Sequence, residues 1–149
     1  MSNSKRIDEN FTVAGQVSAE ELEQASQAGF KSVLNLRSPN EPGFLNEEPQ
    51  LAEDAGLEYA HTPLAIESAE EQLSTILAEL DKLPKPTLIH CAGGGRASVI
   101  ALSSLAERDG LTPEQALAKA QEAGIDYSTN PKLKQLLEQY IANHIKAKA

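Results

Sequence analysis

One cysteine, one methionine and no tryptophan occur in the 149 residues, and aromatics make up only 4% of the chain. The single cysteine, Cys91, excludes an internal disulfide and fits a reducing compartment. No apolar run approaches the roughly 20 residues that span a membrane. Met1 to Asn10 is polar and lacks the apolar core of a secretory signal, so a cytoplasmic setting is expected. Cations are scarce: 13 Lys and Arg stand against 22 Asp and Glu, a net charge of −9. Nucleic acid and anionic membranes both need a basic face, so neither is an expected partner. The same charge offers no long-range steering of anions, so any attraction for one must be local. The three histidines are scattered without ligand spacing, and neither a metal nor an organic cofactor is implied. With 40% hydrophobic and 23% charged residues, the chain reads as globular and of single-domain size. Nothing in it speaks to oligomeric state.

What the chain does have is one stretch, Thr87-Leu88-Ile89-His90-Cys91-Ala92-Gly93-Gly94-Gly95-Arg96-Ala97-Ser98-Val99-Ile100. Leu88 and Ile89, behind Pro84 and Pro86, read as a buried strand of a parallel sheet. Ala97 to Leu102 reads as the start of a buried helix. A strand that runs through a glycine-rich turn into a helix aims several N–H groups at one point, where the positive end of the helix dipole also lies. Ala92, Gly93, Gly94 and Gly95 are expected to line that cradle and bind an oxyanion through backbone donors. Cys91 at its mouth is expected to be a thiolate nucleophile. Arg96 adds a planar fork suited to a tetrahedral oxyanion. A lone cysteine is more often a small buried hydrophobe. Three glycines, each disfavoured at a helix start by roughly 1 kcal/mol relative to Ala, imply that bare backbone is required here. The stretch is neither a P-loop, which needs Gly-Lys-Ser/Thr, nor a dinucleotide fingerprint, whose third glycine would fall at Ser98.

The rest of the chain alternates strands and helices. Residues 1–10 read as a flexible N-terminal arm and residues 11–149 as one domain. Phe11 to Ala14 reads as a strand. Ser18-Ala19-Glu20-Glu21 is a capping box that opens a helix closed by Gly29. Phe30 to Leu36 is a strand, and Arg37 to Gly43 a loop rich in breakers. A helix over Glu47–Ala55, a strand over Leu57–Thr62 and a second capping box at Ser68–Glu71 follow. The helix behind that box carries Leu73, Ile76, Leu77 and Leu80 on one face. Thr112 and Pro113 start a helix ending at Gly124, and Pro131 opens a last one reaching about Ala147. The fold class is therefore α/β, a single-domain sandwich with a mainly parallel central sheet flanked by helices. Ligands of such sheets bind beyond the carboxyl ends of the strands, where Arg37, His61 and His90-Cys91 fall.

His90-Cys91 and Arg96 together resemble the signature loop of cysteine-dependent phosphatases of the dual-specificity fold. More narrowly, the chain resembles the bacterial beta-lactamase-hydrolase-like, phosphatase-like domain family. The matching pieces are Val13-Ala14-Gly15-Gln16, Val33-Leu34-Asn35-Leu36-Arg37, Glu41-Pro42-Gly43, the Cys91 loop and Ala123-Gly124-Ile125-Asp126. The resemblance covers roughly residues 10 to 130 and implies a dual-specificity-phosphatase-like fold for the domain of residues 11–149, with hydrolysis of phosphate monoesters through a cysteinyl-phosphate. It implies a small anionic substrate. The phosphatase signature has five residues between Cys and Arg, whereas four stand between Cys91 and Arg96. That shorter spacing is similar to rhodanese-type sulfurtransferases, whose cysteine carries a persulfide. A phosphatase-like hydrolase, a sulfurtransferase with a Cys91 persulfide and a non-catalytic anion- or phosphopeptide-binding module are the three readings.

The resemblance gives His90 a loop-ordering role through hydrogen bonding and no role as a base. It places Ser or Thr directly after the arginine to ease departure of the thiolate; here that position is Ala97, and Ser98 comes one later. A leaving oxygen wants a carboxylic acid. The stretch Ala60 to Glu67, where the resemblance would place it, has no aspartate, so Glu67 and Asp126 are the candidates. Arg37 and Glu41 either form a structural ion pair or line the pocket. Gln16 matches a family motif without an assigned role, and His144 reads as solvated.

Overall fold

In the computed structural model, which describes residues 4–65 and 69–144, the elements run β1 (Ser4–Arg6), β2 (Phe11–Ala14), α1 (Ala19–Gln27), β3 (Ser32–Asn35), α2 (Glu48–Asp54), β4 (Glu58–His61), α3 (Ala69–Lys82), β5 (Thr87–His90), α4 (Gly95–Asp109), α5 (Pro113–Glu122) and α6 (Pro131–His144). The strands form one sheet in the order β1-β2-β5-β3-β4. β5 sits in the middle, paired in parallel with β2 and β3, and β4 runs parallel to β3. The four residues of β5 are wholly buried, as expected of a strand covered by helices on both faces. Alternation along β5 sends Leu88 into a core with Leu22, Ala25 and Ala52 of α1 and α2. Ile89 points the other way, into the larger core built from α3, α4, α5 and α6.

Local chemistry explains the boundaries. Ser18 and Glu21 form the expected capping box, with N–H to side-chain distances of 3.1 and 3.0 Å. Thr112 caps α5 with Gln115 as its reciprocal partner. The Ser68 box lies outside the described residues. α4 begins at Gly95, two residues earlier than the apolar pattern from Ala97 suggests, because the glycine turn winds directly into the helix. Among the described residues, no helix is long and apolar enough to cross a membrane.

The N-terminal segment differs from the sequence expectation. Residues 4–10 belong to the fold and are no loose arm. β1 pairs antiparallel with β2, with Ser4 opposite Ala14 and Arg6 opposite Thr12. Ile7 is 4% exposed in the main core, and the Asp8 carboxylate accepts the N–H groups of Asn10 and Phe11 at 2.9 and 3.0 Å. Arg108 reaches Asp8 at 3.0 Å. A three-residue edge strand is held by backbone bonds and shows polar side chains to solvent, so it leaves no apolar periodicity to read. Ile7→Ala should therefore lower unfolding free energy by roughly 2–4 kcal/mol in urea titration. A loss below about 0.5 kcal/mol, the level of an ordinary surface change, would return the segment to a loose arm.

Candidate active site

The site lies at the carboxyl end of β5. Cys91 continues the strand, its N–H bonded to Ala14 O at 3.2 Å, and is 1% exposed. The chain must then turn into α4 within four residues. Gly94 makes this possible with φ of +95°, a conformation that L side chains rarely adopt. Its N–H donates to Cys91 Sγ at 3.0 Å. That donor and the amino end of α4 both interact best with a sulfur that carries negative charge. Gly15, just after β2, packs against the loop: an added Cβ would stand 2.8 Å from Ala92 O, and Gln16 N–H donates to the same oxygen at 3.2 Å. The Ala92 carbonyl is thereby turned toward β2, and Ala92 and Gly93 stay exposed at the mouth.

Arg96, in the first turn of α4, is gripped by a carboxylate. Its two terminal nitrogens donate to the two oxygens of Glu41, each at 2.8 Å. Glu41 also accepts Ser38 N–H at 2.6 Å and Arg37 Nε at 3.3 Å. The Arg96 hydrogen bonds, ahead of the opposing effect of burial, hold the Glu41 carboxyl at about 2. Arg96 is raised in turn, first by Glu41, with Cys91 adding to the effect. A guanidinium held by a carboxylate has few rotamers left, so its position beside the loop is set before any ligand arrives.

Cys91, Gly93, Gly94, Gly95 and Arg96 share one cavity of about 440 Å³ with Lys5, Asp126, Tyr127 and Asn130. Asp126 is exposed at its rim, where a hydrogen bond from Ser128 N–H at 2.8 Å lowers its carboxyl. That shift favours the carboxylate, the opposite of what a proton donor needs. Glu67 lies outside the described residues. Ser98 is 1% exposed; its hydroxyl bonds Gly95 O and the Tyr127 hydroxyl, both at 2.6 Å. It therefore buttresses the cavity wall. Burial pushes Tyr127 up to about 12, so the phenol stays neutral at physiological pH.

Arg37 does not line this cavity. It is 4% exposed and gives its donors to Gln16, Glu41, Pro42 O and Gly43 O. His61 bonds Arg37 O at 2.6 Å and braces the same loop. His90 is fully buried, and its Nε2 meets Glu48 Oε2 of α2 at 2.5 Å, so its ring is tied to a helix and not to the loop. His144 is exposed and stacks on Tyr140 with ring centroids 4.6 Å apart. Sequence reasoning missed Glu48 and Tyr127. Glu48 sits beside Glu47 in an acid-rich stretch that gives no sign of burial; Tyr127, next to the matched Asp126, was the more legible of the two.

A carboxyl depressed on folding stabilises the fold above its unfolded range and loses that contribution as pH falls through its folded value. Glu41→Gln should therefore be less stable than the parent above about pH 5, by about 1–2 kcal/mol after solvent screening of this partly exposed pair. The gap should close toward pH 2, where Glu41 itself takes up a proton. Thermal unfolding across pH 2–7 measures this, and a gap independent of pH would refute the ionic clamp.

Comparison with known proteins bears on this site. Residues 3–108 match the family described as beta-lactamase hydrolase-like protein, phosphatase-like domain. The beta-lactamase hydrolase-like protein of Agrobacterium fabrum is 32% identical over 97 residues, which cover 62% of this chain and 22% of that protein. Its Xylella fastidiosa (Temecula1) counterpart is 30% identical over 99 residues, 63% of this chain and 23% of that one. The chain thus spans less than a quarter of the curated relatives' length. Among solved structures, a protein of Shewanella putrefaciens CN-32 assigned as a phosphatase (DUF442) superposes with a TM-score of 0.78 at 21% identity, covering 95% and 92% of the two chains. Tk-PTP in its active form gives 0.70 at 23% identity, covering 95% and 97%. Pseudomonas aeruginosa TpbA, in complex with phosphotyrosine, gives 0.71 at 15% identity, covering 95% and 91%. These likenesses establish a tyrosine-phosphatase-like fold, and with the sequence match they show that the chain belongs to the phosphatase-like domain family of the beta-lactamase hydrolase-like proteins.

Proposed function

We propose that this domain hydrolyses phosphate monoesters with Cys91 as the nucleophile. The observation that carries the reading is the Gly94 N–H on Cys91 Sγ, in one cavity with an Arg96 fork already set by Glu41. In this reading Cys91 thiolate attacks phosphorus and forms the S–P bond while the ester oxygen leaves with the electron pair of the P–O bond. Loop N–H groups and Arg96 hold the equatorial oxygens. Water then cleaves the S–P bond, releasing inorganic phosphate and restoring the thiolate. Among the described residues, Asp126 is the one carboxyl lining the cavity, and it is shifted toward its charged form. Leaving groups that depart without a proton are therefore favoured, which points to aryl over alkyl phosphates. The neutral Tyr127 ring offers an aryl substrate a wall to pack on. The phosphotyrosine bound by TpbA supports that substrate class. A reducing cytoplasm suits a thiolate mechanism.

The four-residue spacing from Cys91 to Arg96 favours a second reading, sulfur transfer through a Cys91 persulfide held in the same cradle. Phosphate release from an aryl phosphate and intact mass after thiosulfate treatment, each for the parent and Cys91→Ser, decide between them. The phosphatase reading expects at least a thousandfold loss in Cys91→Ser, about the scale of losing an activated nucleophile, and no added sulfur. A stable added sulfur with negligible phosphate release would make the domain a sulfur carrier. Phosphate binding without either activity would leave an anion-binding module.

A further inference from the structure

From His90, on the sheet face away from Cys91, a polar chain runs round to Arg96, and its middle members, Glu48, Gln16 and Arg37, take no part in the chemistry above. Gln16 Nε2 donates to Glu48 Oε1 at 2.9 Å, and Gln16 Oε1 accepts Arg37 Nη1 at 2.7 Å. Glu48 holds His90 on its other oxygen, with both side chains fully buried. At the far end Arg37 Nε meets Glu41, which grips Arg96. The path His90–Glu48–Gln16–Arg37–Glu41–Arg96 thus joins the residue before Cys91 to the arginine after it without passing through the loop. Arg37 and Arg96 thus stand against two carboxyl side chains, Glu41 and Glu48. Tyr59 of β4 also faces Glu48, its hydroxyl accepting from Asn35 at 3.0 Å.

The polarity of this chain is forced from the Arg37 end as far as Glu48 Oε1. A guanidinium has donors and no acceptor, so it must face the Gln16 oxygen. Both amide hydrogens of Gln16 then go to Val17 O and Glu48, each at 2.9 Å. Glu48 Oε1 is thereby an acceptor, and with an ionised Glu48 the proton shared with His90 lies on Nε2, whereas a proton on Glu48 Oε2 would leave Nε2 bare. His90 Nδ1 has no hydrogen-bond partner among the described residues, so Glu48 is the anchor of the ring.

We propose that Gln16 is a positioning residue that fixes the Nε2-protonated form of His90 and couples the two ends of the Cys91 loop, His90 and Arg96, into one unit. This deepens the reading of the loop as an anion site. It gives a role to a side chain that touches neither Cys91 nor Arg96.

Two measurements on the full chain test it. In ¹⁵N-histidine NMR, with His61→Gln and His144→Gln for assignment, the parent should show His90 protonated on Nε2; a bare Nε2 overturns the proposal. The second is iodoacetamide alkylation of Cys91 with inorganic phosphate as protectant, in the parent, Gln16→Met, Glu41→Gln and the double variant. Gln16→Met should raise the protecting phosphate concentration about tenfold or more, the scale on which partners that orient liganding histidines act. The double variant should do little more than the worse single one, because both break the same chain. Protection equal to the parent, or losses that multiply, would overturn the coupling. If Gln16→Met does not fold, Glu48→Gln takes its place, and the NMR measurement needs no change at Gln16. Neither readout needs turnover, so a failed phosphatase assay with these results intact sinks the function and not the relay. If phosphate fails to protect even the parent, the anion-site reading falls and the NMR result alone decides.

Discussion

The structure depends on one sharp passage, the turn by which β5 enters α4. The strand is the middle of the sheet and α4 is the helix around which α3, α5 and α6 gather. Neither can shift to make room. The backbone between them must reverse within Ala92 to Gly95, which a left-handed Gly94 allows. The same turn brings an N–H onto Cys91 Sγ and starts α4 with its amino end toward the sulfur. Packing constraint and chemical site are one feature, and β2 seals it from the side because Gly15 leaves the Ala92 carbonyl room.

Around that turn, charge is handled by pairing rather than by exposure. A chain with a net charge of −9 is a poor host for an anion. The site answers locally, with N–H donors and with Arg96, whose own partner Glu41 is shared with Arg37. Buried charges are tolerated only when paired and hydrogen-bonded. Among the described residues, the buried Arg37 and Glu48 both meet that condition through loops at the carboxyl ends of the strands. These loops come from distant parts of the sequence, so their pairing holds the site's rim together as well as satisfying the charges.

Much of this was legible beforehand. The caps at Ser18 and Thr112, the buried strand before Cys91 and the helix after it are local, and local signals report them. The edge strand at Ser4–Arg6 was not legible, because its partner β2 supplies the reason for it. Ser98 could be doubted from its offset alone, but only the fold shows that it spends its hydroxyl on Gly95 and Tyr127. His90 was expected to order the loop; its ring turned out to face α2, because strand alternation puts it on the side opposite Cys91.

By itself the sequence determined the α/β class, the strand–turn–helix at residues 87–100 and the identity of the nucleophile and arginine candidates. Those follow from periodicity, caps and glycine spacing, which act over a few residues. Tertiary structure decided what holds them. Glu41 meets Arg96 across 55 positions and Glu48 meets His90 across 42. Burial of a carboxylate and the choice of its partner are properties of packing, and no pattern confined to neighbours along the chain encodes them.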